Sequence, residues 1–244
     1  MRDVVRQELV SRQLEEQISG RFPVGQRLRV LDVGMGRGTQ VLRLARAGHG
    51  VTGLESDPAL VAAARADLAR EPDGIRERVR LIQGEGMDTG VHFKPGSFDV
   101  VLCHGVLMYV REPDALVAGL ARMLAPGGLL SLLVRNGDAL ALRPGYAGDW
   151  ATALASFDGS SYTNRLGLTV RADRLADLTR TLEGIAAPLR AWYGVRVFTD
   201  GADDAAEAPT GGKLERLLAA EERAGRTDPY RAVAALLHLC GVRG

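Results

Sequence analysis

The apolar positions of this chain follow two periods in turn. Residues 3–19 set Val5, Leu9, Leu14 and Ile18 near a helical repeat and predict an amphipathic helix, broken by Pro23 and Gly25. RLRVLDVG (27–34) is a compact apolar run and predicts a buried strand. TQVLRLARAG (39–48) returns to helical spacing and stops at Gly48. The alternation continues with a strand at HGVTGLES (49–56) and a helix at PALVAAARADLAREP (58–72), with proline in its first turn. RVRLIQGE (78–85) and FDVVLCHG (98–105) are further strands. PDALVAGLARMLAPGG (113–128) predicts a helix closed by Pro-Gly-Gly, and LLSLLVRN (129–136) a fifth strand.

Beyond that point the pattern weakens. Residues 137–170 are irregular. A helix is predicted over 171–183, then a strand-pair region ending in WYGVRVFTD (192–200) and the loop GADDAAEAPTGG (201–212). A helix near 213–225 and the strand LLHLCGVR (236–243) complete the series, with no internal repeat. Strands that are continuous apolar runs, separated by helices, predict an α/β fold with a doubly wound, mostly parallel sheet covered on both faces.

Composition narrows the class. The chain has 244 residues, 46% of them hydrophobic, which suits one domain of ordinary to large size. No run approaches the roughly 18–20 apolar residues of a membrane span, and LLSLLV (129–134) is strand-sized. The stretch MRDVVRQELVSRQLEEQ is charged throughout and lacks the apolar core of a leader, so a soluble cytoplasmic protein is expected. Cys103 and Cys240 do not make a disulfide framework, and no Cys/His spacing suggests a metal. A net charge of +1 does not by itself demand a nucleic acid.

The chemistry concentrates in VLDVGMGRGTQ (30–40), where Gly34, Gly36 and Gly38 alternate directly after a strand. Each glycine costs backbone entropy, so a ligand that approaches the backbone closely is the reason to keep them. In an open parallel sheet ligands lie beyond the carboxyl ends of the strands, and the next helix offers free N–H groups there. The spacing is not the dinucleotide fingerprint G-x-G-x-x-G, because Thr39 stands where the third glycine would be.

With Asp32 two positions before the first glycine, the stretch resembles motif I of class I S-adenosylmethionine-dependent methyltransferases. Glu55 ends the second strand, where an acid bonds ribose hydroxyls. Glu85-Gly86-Met87 follows the third strand, where that family holds the adenine, and FDVVLCHG and LAPGGLLSL match its later landmarks. The resemblance implies a Rossmann-like, seven-stranded sheet with an insertion after the fifth strand, and S-adenosyl-L-methionine as cofactor. It places Asp32 near a cationic sulfonium ligand. The implied cofactor contacts are Asp32, Gly34, Met35, Gly36, Gly38, Glu55, Ser56, Glu85, Gly86, Met87, Cys103 and His104.

A narrower resemblance covers nearly the whole chain. HGVLMYVREPDALVAGLARMLAPGGLLSLLVRN (104–136), YGVRVFTD (193–200) and DPYRAVAALLHL (228–239) resemble the bacterial tRNA 5-carboxymethoxyuridine methyltransferases. That implies O-methylation of a carboxylate on a modified wobble uridine, with tRNA as partner. The alternatives are O- or N-methylation of a small metabolite and a catalytically silent cofactor-binding subunit. Residues 148–170 carry Arg165 as their only basic side chain, although RNA binding rests on phosphate neutralisation. One methyltransferase domain over 1–244 is expected, comprising an N-terminal helix (1–25), a cofactor half (26–136), a lid (137–170) and a substrate-side half (171–244).

Five residues are the catalytic candidates: His104, Arg135, Asn136, Tyr193 and Arg196. Arg196 can fork onto a substrate carboxylate or pair with Asp200. Arg135 and Asn136 end the fifth strand, where Asn136 can equally cap a turn. His104 is a base for a hydroxyl or amine acceptor but only a positioning group for an ionised carboxylate. Tyr193 can stack on a base or pack; Tyr109 is expected to pack, and Cys103 to be core. Trp150 and Tyr162 fall in the lid.

Overall fold

The structure is a computed structural model that describes residues 1–164, 166–202 and 206–244. Arg165 and residues 203–205 of the acidic loop lie outside the described residues. In chain order the elements are α1 (Arg2–Ser19), β1 (Arg29–Val33), α2 (Thr39–Arg46), β2 (Gly50–Glu55), α3 (Pro58–Leu68), α4 (Asp73–Arg76) and β3 (Val79–Gln83). There follow α5 (Thr89–His92), β4 (Phe98–His104), α6 (Pro113–Met123), β5 (Leu124–Arg135), α7 (Leu142–Tyr146) and α8 (Trp150–Ser156). The last are β6 (Ser161–Thr163), β7 (Thr169–Arg171), α9 (Leu175–Gly184), β8 (Leu189–Val195), α10 (Gly212–Ala224) and β9 (Leu236–Val242).

Seven strands form one sheet in the order β3-β2-β1-β4-β5-β9-β8, the doubly wound arrangement expected of a class I methyltransferase fold. β2, β1, β4 and β3 pair in parallel. β9 runs against its neighbours: Asn136 N–H donates to Ala235 O and Gly127 N–H to Arg243 O, while Ala235 N–H donates to Arg196 O and Val242 N–H to Pro188 O.

Several expected boundaries move. The helix expected over 113–128 ends at Met123, and Pro126-Gly127-Gly128 belongs to β5. The cause is the pairing of Gly127 and Gly128 with Arg243, which ties this backbone into the sheet, Gly127 at φ 73°. The helix expected over 58–72 ends at Leu68, short of Pro72, which disfavours helix at the residue before it. The irregular 137–170 contains α7, α8 and the antiparallel β6–β7 hairpin, and β7 takes the start of the helix expected at 171. The strand-pair region is the single strand β8, which stops before Arg196.

The chain divides into two compact units. One comprises residues 21–132, 181–190 and 240–244. Its central strands bury Val30, Leu31, Val100, Val101 and Leu102 completely, each large side chain contributing about 1.5–3 kcal/mol by leaving water. Parallel register sets Val33 beside Leu54 and Cys103, so the carboxyl ends of β1, β2 and β4 come together. The three glycines, Glu55 and His104 therefore share one edge.

The other unit comprises residues 1–20, 133–180 and 191–239. Here α1 buries Val5, Leu9 and Val10 against Leu133, Val195, Leu218, Ala235 and Leu236. Its polar face carries Glu16, which pairs with Arg226. No helix among the described residues is long and apolar enough to cross a membrane.

Candidate active site

In the first unit the turn after β1 needs its glycines for different reasons. Gly34, Gly36 and Gly38 all have positive φ (70°, 57° and 78°). A Cβ at position 34 would lie 2.1 Å from Val106 Cγ2, so this glycine makes room for the protein itself. A Cβ at position 36 meets nothing within 4 Å, so the space beside Gly36 is open. Gly38 is the left-handed N-cap of α2.

Glu55 is locked at the end of β2. Its Oε2 accepts the Gly36 N–H at 2.9 Å, and its Oε1 accepts those of Ser56 at 2.9 Å and Asp57 at 3.1 Å. Asp57 in turn caps α3 by accepting the Ala59 N–H at 2.8 Å. One carboxylate thus joins the glycine turn to the second strand and leaves its orientation little freedom.

Asp32 is buried at 3% exposure. Burial, and then the neighbouring Glu55 charge, push its carboxyl up to about 7. Burial and the Asp32 charge likewise drive the Cys103 thiol far up, so it stays protonated and cannot serve as a nucleophile. A nearby positive charge would restore the ionised form of Asp32, so the pair of carboxyl groups suits a cation.

The remaining cofactor candidates sit around the same edge. Met35 turns its thioether into the fold, so that a Cβ at Gly53 would lie 2.2 Å from its sulfur; only its backbone remains for a ligand. Ser56 is exposed behind Glu55. Glu85 precedes the 3-10 turn Gly86–Asp88, with Met87 half exposed and Gly86 against Val33. The His104 Nε2 lies 2.8 Å from Ser131 Oγ. Tyr109, expected to pack, is instead 54% exposed; Leu107 is the buried residue of that turn.

The second unit assembles Arg135 and Arg196 on one carboxylate. Arg135 Nη1 donates to Asp200 Oδ2 at 3.1 Å, and Arg196 Nη2 donates to Asp200 Oδ1. Arg2 Nη1 donates to the Asp200 backbone O at 3.3 Å. Burial, with Arg135 and Arg2 adding repulsion, lowers the Arg196 pKa, while Asp200 opposes that shift. Asp200 itself is held low, its two arginines overcoming the effect of burial. The Nε atoms of Arg135 and Arg196 are buried without a hydrogen-bond partner. The Arg135 guanidinium also lies 5.3 Å from the centre of the Tyr162 ring. Arg196 has φ +62°, unusual for a side-chain-bearing residue.

Asn136 and Tyr193 are engaged by the fold. The Asn136 amide donates to Ala232 O (2.9 Å) and Ala234 O (2.8 Å), and its oxygen accepts the Asp138 N–H at 3.0 Å. Both amide protons are spent on backbone. The Tyr193 hydroxyl accepts from Gln17 Nε2 at 2.6 Å and donates to Glu16 Oε1 at 3.3 Å, with Arg226 over its ring at 5.0 Å. Trp150 opens α8 and is 73% exposed.

Two residues of the second unit escaped sequence reasoning. Glu221 is fully buried on α10 and accepts the backbone N–H groups of Val197, Phe198 and Thr199. His238 is fully buried, with Nδ1 2.8 Å from Gln13 Oε1, and burial lowers its pKa to about 3. In sequence Glu221 is one of three acids, with Glu215 and Glu222, in the 213–225 helix, and nothing sets it apart. An uninterrupted apolar run around His238 was the only available signal.

A methyltransferase-domain family model matches residues 31–132. The chain is 28% identical to a tRNA 5-carboxymethoxyuridine methyltransferase of Escherichia coli O157:H7, over 96% of this chain and 87% of that protein. It is 36% identical to a ubiquinone biosynthesis O-methyltransferase of Xanthomonas euvesicatoria pv. vesicatoria, over 54% of this chain and 49% of that protein. A Burkholderia thailandensis 1,6-didemethyltoxoflavin-N1-methyltransferase, solved with S-adenosylhomocysteine, shares the fold at TM-score 0.59 and 18% identity, over 99% of this chain and 81% of that one. Residues 31–132 carry a methyltransferase domain, on the sheet order of the class I S-adenosylmethionine-dependent methyltransferase fold. Its cofactor, S-adenosylmethionine, supplies an electrophilic methyl group when bound.

The residues present fit that cofactor as a methyltransferase requires. The open space at Gly36 admits a ligand against the backbone, Glu55 offers a fixed carboxylate, and a nearby sulfonium cation would favour the ionised form of Asp32. Among the described residues no group of three or more His, Cys, Asp or Glu is placed to hold a metal ion.

Proposed function

We propose that this methyltransferase modifies a carboxylate oxygen on a tRNA wobble uridine bearing a carboxymethoxy group. The observation that carries the reading is the sharing of Asp200 by Arg135 and Arg196, each left with a buried, unpartnered Nε. Two buried guanidinium groups on one carboxylate keep an excess positive charge, and unmet buried donors cost about 1–3 kcal/mol each. A substrate carboxylate supplies both the missing charge and the missing acceptors, and the planar arginine fork suits it. The similarity to the Escherichia coli enzyme across nearly the full length supports the same acceptor. A tRNA substrate would put its work in the cytoplasm.

In this reading Asp32, Gly34, Gly36, Gly38 and Glu55 bind the cofactor, with Met35 contributing its backbone. Ser56, Glu85, Gly86 and Met87 line its ribose and adenine end, and Cys103 only packs. A carboxylate acceptor is ionised at neutral pH and needs no base, so His104 orients and does not deprotonate. Asn136 and Tyr193 hold the scaffold of the arginine pair. Alignment of acceptor and methyl, with water excluded, is then the main catalytic task.

A second reading is O-methylation of a small metabolite, favoured by the similarity to the ubiquinone-pathway enzyme over 54% of the chain. Mass spectrometry of tRNA nucleosides from cells with and without the gene decides. Loss of the methyl ester of 5-carboxymethoxyuridine on deletion is expected. An unchanged nucleoside profile would overturn the tRNA reading.

A further inference from the structure

We infer that Glu221 is a positioning residue that sets the arginine–carboxylate pair for the acceptor, an inference that rests on the acceptor reading above. The turn after β8 runs from Arg196 to Asp200, and both ends carry the ion pair. Between them three successive backbone N–H groups point at one carboxylate. Glu221 Oε2 accepts from Val197 at 2.7 Å; Glu221 Oε1 accepts from Phe198 at 3.1 Å and Thr199 at 2.9 Å. The Thr199 hydroxyl adds a fourth bond to Oε1 at 2.7 Å.

This is more than ordinary loop anchoring. Arg196 enters the turn at φ +62°, a conformation its side chain disfavours, and something must hold it there. Ala235 N–H bonds the Arg196 carbonyl at 3.2 Å from one side, and Glu221 bonds the next three amides from the other. Glu221 is 0% exposed, so four donors converge on a carboxylate shielded from water. Such charge-assisted bonds are the strong kind. The guanidinium of Arg196 and the carboxylate of Asp200 are therefore fixed relative to each other by a residue that touches neither side chain's charged group.

The chemistry of the glutamine variant isolates this role. Glu221→Gln keeps the shape but replaces one acceptor oxygen with an N–H donor that faces N–H donors. Glu221→Asp keeps both acceptors on a shorter stem and is the conservative rescue. The probes are tRNA carrying 5-carboxymethoxyuridine as acceptor, S-adenosylhomocysteine for cofactor affinity, and amide hydrogen exchange for the turn.

Glu221→Gln is expected to speed exchange at Val197, Phe198 and Thr199 and to raise KM for the tRNA about tenfold, the equivalent of one lost bond of this kind. Affinity for S-adenosylhomocysteine should hold, and Glu221→Asp should recover part of the KM. Arg196→Lys is run beside it. Faster exchange with unchanged KM, while Arg196→Lys raises KM, would overturn the positioning role and leave the acceptor site standing. Unchanged KM in both variants would overturn the acceptor site itself, and the positioning role with it. Exchange as slow as in the parent protein would also overturn it. If Glu221→Gln does not fold, the same two measurements on Glu221→Asp decide, with a smaller rise in both expected.

Discussion

The Glu55 carboxylate and the Gly36 backbone N–H are hydrogen-bonded at 2.9 Å, so a strand end and a glycine turn 19 residues apart form one rigid edge. Glu55→Ala removes the acceptor for that amide and for Ser56 and Asp57. It also removes the carboxylate proposed to hold ribose hydroxyls. Affinity for S-adenosylhomocysteine should fall by about 1–3 kcal/mol, as for a lost charged hydrogen bond. Titration calorimetry on folded protein measures this, and unchanged affinity would remove Glu55 from the site.

Gly34 and Gly36 are expected to part company on substitution by alanine. Both have positive φ, so both variants carry a backbone cost of about 1 kcal/mol. At position 34 the new Cβ also meets Val106 Cγ2 at 2.1 Å, so Gly34→Ala should lower the melting temperature markedly without ligand. At position 36 the Cβ enters open space, so Gly36→Ala should melt nearer the parent, and Gly36→Val should chiefly lose cofactor affinity. Thermal melts with and without S-adenosylhomocysteine separate the two effects; equal melts for both alanine variants would refute the contrast.

Asp32 and His238 predict opposing pH dependences. Asp32 has its folded pKa raised from 3.8 to about 7, so the folded protein binds the extra proton and this contribution fades as pH rises through 7. His238 has its folded pKa lowered from 6.5 to about 3, so the unfolded chain binds the extra proton and stability is lost as pH falls below 6.5. Between about pH 4 and 6.5 the two slopes, about 1.4 kcal/mol per unit each, cancel. Relative to the parent, Asp32→Asn should gain stability as pH rises across this window, and His238→Gln should lose it. Urea unfolding at pH 4.5, 5.5 and 6.5 measures both. A cationic ligand favours ionised Asp32, so cofactor affinity should rise from pH 6 to 8.

The glycine turn and the strand ends around it were legible because each of these features is local. Asp32 and Glu55 lie at the carboxyl ends of β1 and β2, the three glycines follow β1, and parallel pairing brings the strand ends together whatever the helices do. The second unit was legible only in part. Arg196 and Asp200 were readable as a pair four residues apart, but Arg135 joins them across 65 residues. Glu221 and Gln13 reach their partners through tertiary packing, which leaves no periodic trace. The β5 start was misplaced for the same reason: Arg243, which pairs with Gly127 and Gly128, lies at the far end of the chain.

Arg196 and His104 separate the two acceptor classes. If Arg196 holds a substrate carboxylate, Arg196→Lys should damage turnover even though the charge is kept. Lysine presents a point charge and cannot reproduce the planar two-pronged donor. The pair with Asp200 would survive in part, so the fold should tolerate the change. Cofactor affinity should stay constant, because the residues proposed to bind the cofactor are Asp32, Glu55 and the glycines after β1. His104→Ala should be mild, since an ionised carboxylate asks for no proton acceptor; its lost contact with Ser131 is a matter of orientation. A hydroxyl or amine acceptor reverses the ranking, because a proton must then leave and a positioned base is worth about 10²–10⁴ in rate. Steady-state rates for both variants, with tRNA carrying 5-carboxymethoxyuridine and with a small phenolic acceptor, decide it. An essential His104 beside a dispensable Arg196 would assign the enzyme to small-molecule O-methylation.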